Sequence, residues 1–110
     1  MAIAGIDVGT TGCKCTVYNV AGVQLKEAYI EYPHTQADGR ELDPAMVWDN
    51  VKKVLHDAAQ VAEPVEAIGV TSFGETFVML DENDHPVTNT VLYTDQRGEE
   101  QCDLLVERLG

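Results

Sequence analysis

The chain has 110 residues, enough for one small domain or for part of a larger one. It carries 19 acidic residues against 7 Lys and Arg, a formal net charge of −12, so nucleic acid and anionic membranes are not expected partners. No apolar run approaches the length of a membrane span and no basic n-region opens the chain, so we expect a cytoplasmic protein.

The first third of the chain predicts three strands joined by tight turns. Residues 2–6 form a continuous apolar run, typical of a central strand buried on both faces. Residues 14–20 and 23–32 follow as further strands, separated by a turn signal. Together they predict an antiparallel meander.

The three cysteines do not indicate a disulfide framework, because their number is odd. Cys13 and Cys15 are two residues apart in an apparent strand, and such side chains share a face. We therefore expect them to pack together as small apolar groups. No His or further Cys stands nearby at metal-ligand spacing.

The middle of the chain predicts a loop, a helix and a parallel strand. Residues 33–40 are polar and rich in turn formers. Asp43 is then the expected N-cap of a helix, with Pro44 at its first position, and Glu63-Pro64 is expected to end it. Residues 65–71 resemble a strand that follows a crossover helix. The apolar stripe predicted for the helix comprises Val47, Val51, Leu55, Ala58 and Ala62.

The last third predicts a hairpin and a second helix. Residues 77–80 and 87–93 flank the polar turn 81–84. The helix is expected to begin at Thr94 or Asp95, with an apolar stripe of Cys102, Leu105, Val106 and Leu109. The whole pattern predicts an α/β fold built on a mixed sheet.

The bend after the first strand, Asp7-Val8-Gly9-Thr10-Thr11-Gly12, is the strongest local candidate for chemistry. Glycine allows close backbone approach, and the amides and threonine hydroxyls of such a turn can bind an anion. Asp7 would repel a bare phosphate but could hold Mg²⁺ or its waters. Lys14 could reach the same anion. The spacing alone is equally compatible with an ordinary hairpin turn capped by the threonines.

Four stretches, in order along nearly the whole chain, resemble the FGGY carbohydrate kinases of the actin-like ATPase superfamily. Residues 7–11, Asp-x-Gly-Thr-Thr, resemble the first phosphate motif of that superfamily. Residues 39–44, followed by Trp48, resemble the family's Gly-x-x-Glu-x-Asp-Pro…Trp segment. Residues 67–76 resemble the strand and loop that deliver sugar-binding residues, and residues 92–97 resemble its Trp-x-Asp-x-Arg segment.

The resemblance implies a ribonuclease-H-like (actin-like ATPase) fold in an incomplete domain. Residues 1–110 would be the N-terminal part of the first, sugar-binding domain, without the rest of that domain or the ATP-binding second domain. The activity implied is transfer of the γ-phosphate of Mg-ATP to a hydroxyl of a small sugar or polyol, with xylulose as our guess. Asp7 would lie at the Mg²⁺ ion. The residues implied at the ATP phosphates are Gly9, Thr10, Thr11, Gly12 and Lys14.

The resemblance also implies a substrate site. Glu75 stands where glycerol-kinase-like members place an acid that binds substrate hydroxyls, although it could also be an exposed loop acid. Phe73 and Gly74 replace the Gln-Arg of glycerol kinases and the Gln-Met-His of xylulokinases. Neither supplies a side-chain hydrogen bond, so this position does not identify the substrate. Tyr93 replaces the usual Trp and could stack on the sugar or be a core aromatic. Asp95 could touch substrate or cap the last helix.

The base that accepts the hydroxyl proton is, in the family, an aspartate from a later part of the first domain. No Asp here lies in that context, so we expect residues 1–110 alone not to phosphorylate sugar. The alternative is a non-catalytic nucleotide-binding or regulatory module of the actin-like superfamily. Truncated sheet edges also predict exposed apolar surface and a tendency towards homo-oligomers.

Overall fold

The computed structural model describes residues 1–33 and 40–110. Within them the elements are β1 (Ala2–Val8), β2 (Gly12–Asn19), β3 (Gln24–Glu31), β4 (Glu41–Leu42), α1 (Pro44–Ala58), β5 (Val65–Ser72), β6 (Thr90–Val91) and α2 (Glu99–Leu109). A four-stranded sheet has the order β3-β2-β1-β5, and β4 pairs with β6 in a second sheet. The first three strands are antiparallel and β5 lies parallel to β1, which confirms the predicted meander and mixed sheet.

The core lies between α1 and one face of the four-stranded sheet. Alternate residues of β1 and β2 point to this face because side chains on a strand alternate in direction. α1 lies across β2 and β3 and adds Val54, whose complete burial is worth about 1.5–3 kcal/mol. The buried apolar side chains of β1 and β2 are Ala2, Ala4, Ile6, Cys13, Cys15 and Val17.

The opposite face of the sheet is open. β1 is central in the sheet, as predicted, but the expectation that it is buried on both faces is wrong, since Ile3 is 43% exposed and Gly5 and Asp7 are also exposed. The physical reason is that α1 covers only one side of the sheet in the described residues. The strand therefore presents a row of accessible groups on its second side.

Helix α1 begins as predicted and ends earlier than predicted. Asp43 caps it, with its carboxylate accepting a hydrogen bond from the Ala45 amide at 2.9 Å, and Pro44 is the first helical residue. The helix ends at Ala58, so Ala62 is not part of its apolar stripe. The chain must turn back before Pro64, whose carbonyl accepts from the Ala2 amide and aligns β5 with β1.

The predicted hairpin forms only in part. The polar turn is present, with the Asp81 carboxylate accepting hydrogen bonds from the amides of Asn83 and His85. Its arms meet only at the isolated bridges Phe77–Val91 and Leu80–Pro86. Thr90–Val91 instead pairs with β4, a strand that the sequence pattern did not predict. Most of the predicted loop 33–40, including Gly39, lies outside the described residues.

Helix α2 begins at Glu99 and not at Thr94 or Asp95, so the prediction that Asp95 caps it is wrong. The carboxylate of Asp95 is engaged locally by Arg97, which holds the preceding residues in a turn. No residue of α2 is buried, and its predicted apolar stripe is exposed: Cys102, Leu105, Val106 and Leu109. No helix in the described part of the chain has both the length and the apolar character needed to cross a membrane.

The burial of two thiols leads to a test of this fold. Cys13 and Cys15 are 0% and 1% exposed, and burial raises the pKa of both, whereas Cys102 is exposed. Because the thiolate is the reactive form, iodoacetamide should label only Cys102 in the native chain and all three cysteines in denaturant. Mass spectrometry counts the labels, and Cys102→Ser should abolish native labelling. Rapid native labelling of Cys13 or Cys15 would contradict the packing described here.

Candidate functional site

The bend between β1 and β2 is held by backbone hydrogen bonds. The Gly9 amide donates to the Gly12 carbonyl at 2.9 Å, and the Tyr32 amide donates to the Thr11 carbonyl at 2.9 Å. A Cβ on Gly9 would lie 3.0 Å from the Gly12 oxygen, so glycine allows the two ends of the bend to approach closely. The end of β3 is thus attached to the bend.

The bend leaves hydrogen-bond donors without partners. In the described chain, the amides and hydroxyls of Thr10 and Thr11 meet no protein acceptor. The side chains of Asp7 and Lys14, at the adjoining strand ends, make no ion pair or hydrogen bond within the same residues, although the two residues are directly opposite each other. Backbone amides, hydroxyls and one ammonium group form a donor set suited to an anion such as phosphate.

The strand register places four polar side chains in a row across the sheet, next to the bend. Asp7 pairs with Lys14 on β2 and with Thr71 on β5, and Lys14 pairs with Tyr29 on β3. All four side chains are exposed and share the open face of the sheet. Three of them, with the glycine pair Gly5 and Gly69, line a cavity of about 330 Å³. Sequence reasoning missed Thr71 and Tyr29 because only the pairing register brings them to this row.

Tyr29 lies against the end of the bend. A Cβ built on Gly12 would fall 2.7 Å from the Tyr29 hydroxyl oxygen and 2.5 Å from the Ile30 carbonyl oxygen. The tyrosine therefore occupies the space that a side chain at position 12 would need. Gly12 is required here for close packing, and it has no positive φ.

The loop after β5 meets the bend at the same edge of the sheet. The Phe73 amide donates to the Val8 carbonyl at 3.2 Å, and the Phe73 ring packs against the core. Glu75 is exposed and has φ of 57°, a conformation uncommon outside glycine. The Thr76 hydroxyl donates to the Val91 carbonyl, which ties this loop to β6. Gly74 is exposed and leaves open space beside Glu75.

Tyr93 and Asp95 lie in the turn that follows β6. The Tyr93 ring is 62% exposed, so it is not the core aromatic that one interpretation of the sequence allowed. The Asp95 side chain is only 4% exposed and both of its oxygens accept from the Arg97 guanidinium at 2.9 Å. Arg97 also contacts Glu41, whose second oxygen accepts from the Asn89 side-chain Nδ2 at 3.1 Å.

A separate cavity of about 490 Å³ lies between α1 and β5 on the core side of the sheet. Its lining is almost entirely apolar and carries no charged group, which suits packing against other apolar groups and not the binding of phosphate. Residues lining it include Val47, Trp48, Val51, Leu55, Ile68, Val70 and Phe73.

Comparison with known proteins identifies the family to which the chain belongs. The family model described as the FGGY family of carbohydrate kinases, N-terminal domain, matches residues 2–110. The chain belongs to the FGGY family of carbohydrate kinases. The glycerol kinase of Haloquadratum walsbyi is 32% identical to it over 112 residues, covering 96% of this FGGY chain and 22% of that protein. The chain thus spans about 22% of the length of the curated relatives it matches.

Solved structures agree on the fold. The ligand-bound xylulose kinase from Lactobacillus acidophilus is similar at a TM-score of 0.88 and 27% identity, over 97% of this FGGY chain and 22% of that one. The Plasmodium falciparum glycerol kinase with ADP is similar in fold at a TM-score of 0.86 and 21% identity, over 99% and 23% of the two chains. The predicted actin-like ATPase fold is confirmed.

One carboxylate, that of Asp7 near the end of β1, lies beside the bend and could bind a divalent ion. No group of three or more His, Cys, Asp or Glu side chains arranged for a metal occurs in residues 1–33 and 40–110. Mg²⁺ in nucleotide sites commonly takes one or two carboxylates and completes its shell with phosphate oxygens and water. Asp7 is exposed and its carboxylate makes no ion pair in the described residues, which fits that requirement.

Because of the Asp95–Arg97 pair, we expect the free energy of unfolding of the chain to depend on pH in the acid range. Hydrogen bonds from the Arg97 guanidinium and amide lower the pKa of Asp95 from 3.8 to about 2. Because the folded pKa is depressed, the carboxylate stabilises the fold above pH 3.8, and this contribution disappears as pH falls towards about 2.

Asp95→Asn should therefore lower the free energy of unfolding at neutral pH and flatten its decline in that acid range. Urea unfolding at a series of pH values measures both effects. Asp49→Asn, at a side chain that is 72% exposed, is the control and should keep the slope of the unmodified chain. An unchanged slope in Asp95→Asn would contradict the prediction.

Proposed function

We propose that this chain is the N-terminal part of the first domain of a kinase that transfers the γ-phosphate of ATP to a hydroxyl of a small sugar or polyol. One observation carries the proposal: unpartnered donors of the bend and the start of the Phe73–Glu75 loop lie at one edge of the sheet, joined by the hydrogen bond from Phe73 to Val8. Phosphoryl transfer needs such an arrangement, with a phosphate site beside a hydroxyl site.

In this proposal the bend binds the ATP phosphates. The amides and hydroxyls of Thr10 and Thr11 donate to phosphate oxygens, and Gly9 and Gly12 allow the backbone to approach them. Lys14 supplies a positive charge from the adjoining strand. With a net charge of −12 the chain has few cations, so phosphate binding at the bend would depend on these neutral donors and on one ammonium group.

Asp7 would hold Mg²⁺ or its coordinated waters in the full kinase. A bound Mg²⁺ offsets phosphate charge and so removes the repulsion that Asp7 would otherwise exert on ATP. Asp7 is exposed and its carboxylate makes no hydrogen bond or ion pair in the described chain, so no such contact has to be broken for this role.

The sugar would bind between the loop after β5 and the turn after β6. Glu75 would accept hydrogen bonds from substrate hydroxyls and the exposed Tyr93 ring would stack on the apolar face of the sugar. Phe73 and Gly74 offer no side-chain donor where glycerol kinases have Gln-Arg. Xylulokinases have Gln-Met-His at these positions, so the difference does not select between the two substrates. The likeness in fold to a ligand-bound xylulose kinase supports a ketopentose such as xylulose as the proposed substrate.

Residues 1–110 alone are proposed to be inactive. No aspartate here stands in the context of the family's catalytic base, which belongs to a later part of the first domain. The chain also spans about 22% of its relatives' length. Closure of a second domain, which would exclude water from the phosphate, requires that remaining chain.

The first prediction from this proposal concerns the bend. In a full-length kinase carrying this chain, Asp7→Asn should lower kcat/KM by about 100-fold or more, because it removes charge that positions the metal and phosphates. Thr10→Val should lower it by about 10- to 100-fold, as for a hydrogen bond to a charged group. Coupled-enzyme assays measure both. Asp49→Asn and Thr88→Val are exposed matched controls and should retain activity. Full turnover in Asp7→Asn would refute the proposed phosphate site.

The second prediction separates the sugar site from the phosphate site. Glu75→Gln should raise the KM for the sugar by about 10-fold or more and leave the KM for ATP within a factor of about two, since one charged hydrogen bond to substrate is weakened. Glu66→Gln, also exposed, is the control. Equal changes in both KM values would place Glu75 outside the sugar pocket.

A further inference from the structure

We infer that Arg97 is a positioning residue for the sugar pocket: its guanidinium joins Asp95 to Glu41 and thereby fixes the turn that carries Tyr93. The functional part of this inference rests on the proposed kinase activity. The structural part does not.

The contacts of Arg97 form a fork between two carboxylates. Its Nε lies 2.9 Å from each Asp95 oxygen, and its Nη2 lies 2.7 Å from Asp95 Oδ2 and 2.5 Å from Glu41 Oε1. The amide of Arg97 also donates to Asp95 Oδ1 at 2.9 Å. A planar guanidinium can satisfy two carboxylates in this way, whereas a lysine ammonium cannot reproduce the fork.

Asp95 is closed to substrate while this fork is intact. Its side chain is 4% exposed, and both oxygens already accept charged hydrogen bonds. A sugar hydroxyl could reach the carboxylate only by displacing Arg97. Asp95 is therefore better placed to hold Arg97 and the turn than to bind the sugar, although the family-like motif at first indicated either a substrate contact or a helix cap.

Glu41 connects the fork to the rest of the pocket. It lies in β4, which pairs with Val91 of β6, and its second oxygen accepts from Asn89. The Leu92 amide donates to the Arg40 carbonyl at 3.0 Å, on the same strand edge. The two ends of the turn containing Tyr93 are thereby attached to Glu41 of β4 and to Arg40, the residue before it.

The loop that carries Glu75 is attached to the same β6 residue. The Thr76 hydroxyl donates to the carbonyl of Val91, and Phe77 bridges to Val91 as well. The loop that carries Glu75 and the turn that carries Tyr93, the two proposed sugar contacts, are therefore both attached to β6. Arg97 fixes the turn that carries Tyr93. Removing Arg97 would leave the covered Asp95 carboxylate without the cation that hydrogen-bonds to it, with only the more distant charge of Arg40 remaining, and the turn would be expected to rearrange.

The structural part is tested on the 110-residue chain by NMR. Arg97→Ala should shift amide resonances in residues 40–42, 75–77 and 89–97, while the core resonances of β1 and β2 stay in place. Arg97→Lys, which keeps the charge, should give smaller shifts of the same residues. Arg108→Ala, an arginine near the end of α2, is the matched control and should leave these resonances unchanged. Shifts confined to residues 96–98 in Arg97→Ala would overturn the inference.

The functional part is tested by steady-state kinetics in a full-length kinase carrying this chain. Arg97→Ala should raise the sugar KM at least 10-fold and change the ATP KM less than twofold, and Arg97→Lys should recover part of that loss. The double variant Arg97→Ala/Asp95→Asn should lose no more than the larger single loss, because the two residues act as one unit. Additive losses would mean that Asp95 contacts the sugar directly and would overturn the positioning role.

The two tests fail separately. If the unmodified full-length protein phosphorylates no sugar, the proposed function falls, and the NMR comparison still decides whether Arg97 fixes the turn. If Arg97→Ala does not fold, Arg97→Lys carries both comparisons. A sugar KM unchanged in a folded Arg97→Ala enzyme would overturn the inference while leaving the kinase assignment in place.

Discussion

The pairing of β1 with an antiparallel neighbour on one side and a parallel neighbour on the other is the constraint on which the site depends. The antiparallel pairing places Lys14 opposite Asp7, and the parallel pairing places Thr71 beside it. Because side chains alternate along a strand, a slip of one residue would turn Asp7 towards α1 and Ile6 towards the open face. The same register thus orders the core and the polar row.

The parallel pairing also brings the two candidate loops together. Parallel strands end at the same edge of a sheet, so the bend after Val8 and the loop after Ser72 become neighbours. α1 makes this possible by returning the chain from the edge of the meander, and the hydrogen bond from Phe73 to Val8 joins the two strand ends. This crossover therefore brings the proposed phosphate site and the proposed sugar site next to each other, as the proposed transfer requires.

Charge explains how the two halves of the site differ. The bend relies on amides, hydroxyls and Lys14, and its single carboxylate suits a metal ion. The turn after β6 instead concentrates acids around Arg97, where Asp95 and Glu41 accept its hydrogen bonds. In a chain with 19 acidic residues and 7 Lys and Arg, one arginine shared by two carboxylates limits repulsion at that position. The acidic composition is therefore compatible with the proposed phosphate site, because Lys14 adjoins the bend and Arg97 offsets the acids of the turn.

The sequence by itself determined most of the local structure and the position of the bend. Alternating and continuous apolar runs predicted the meander, Asp43-Pro44 predicted the start of α1, and the Asp-x-Gly-Thr-Thr motif marked the bend that we propose as the phosphate loop. These features could be predicted because each depends on residues close together in the chain, whose periodicity or capping chemistry is visible in one short stretch.

Only the tertiary structure decided which faces are open and which distant residues meet. It ended α1 at Ala58, because the chain must turn to pair β5 with β1, and it left one side of β1 uncovered. It paired Thr90–Val91 with Glu41–Leu42. It also placed Asp95 in an ion pair with Arg97, so that Asp95 does not cap α2. It also placed Tyr29 and Thr71 in the row beside Asp7. All of these features depend on strand pairing and ion pairs between residues far apart in the chain, and no local sequence pattern encodes such contacts.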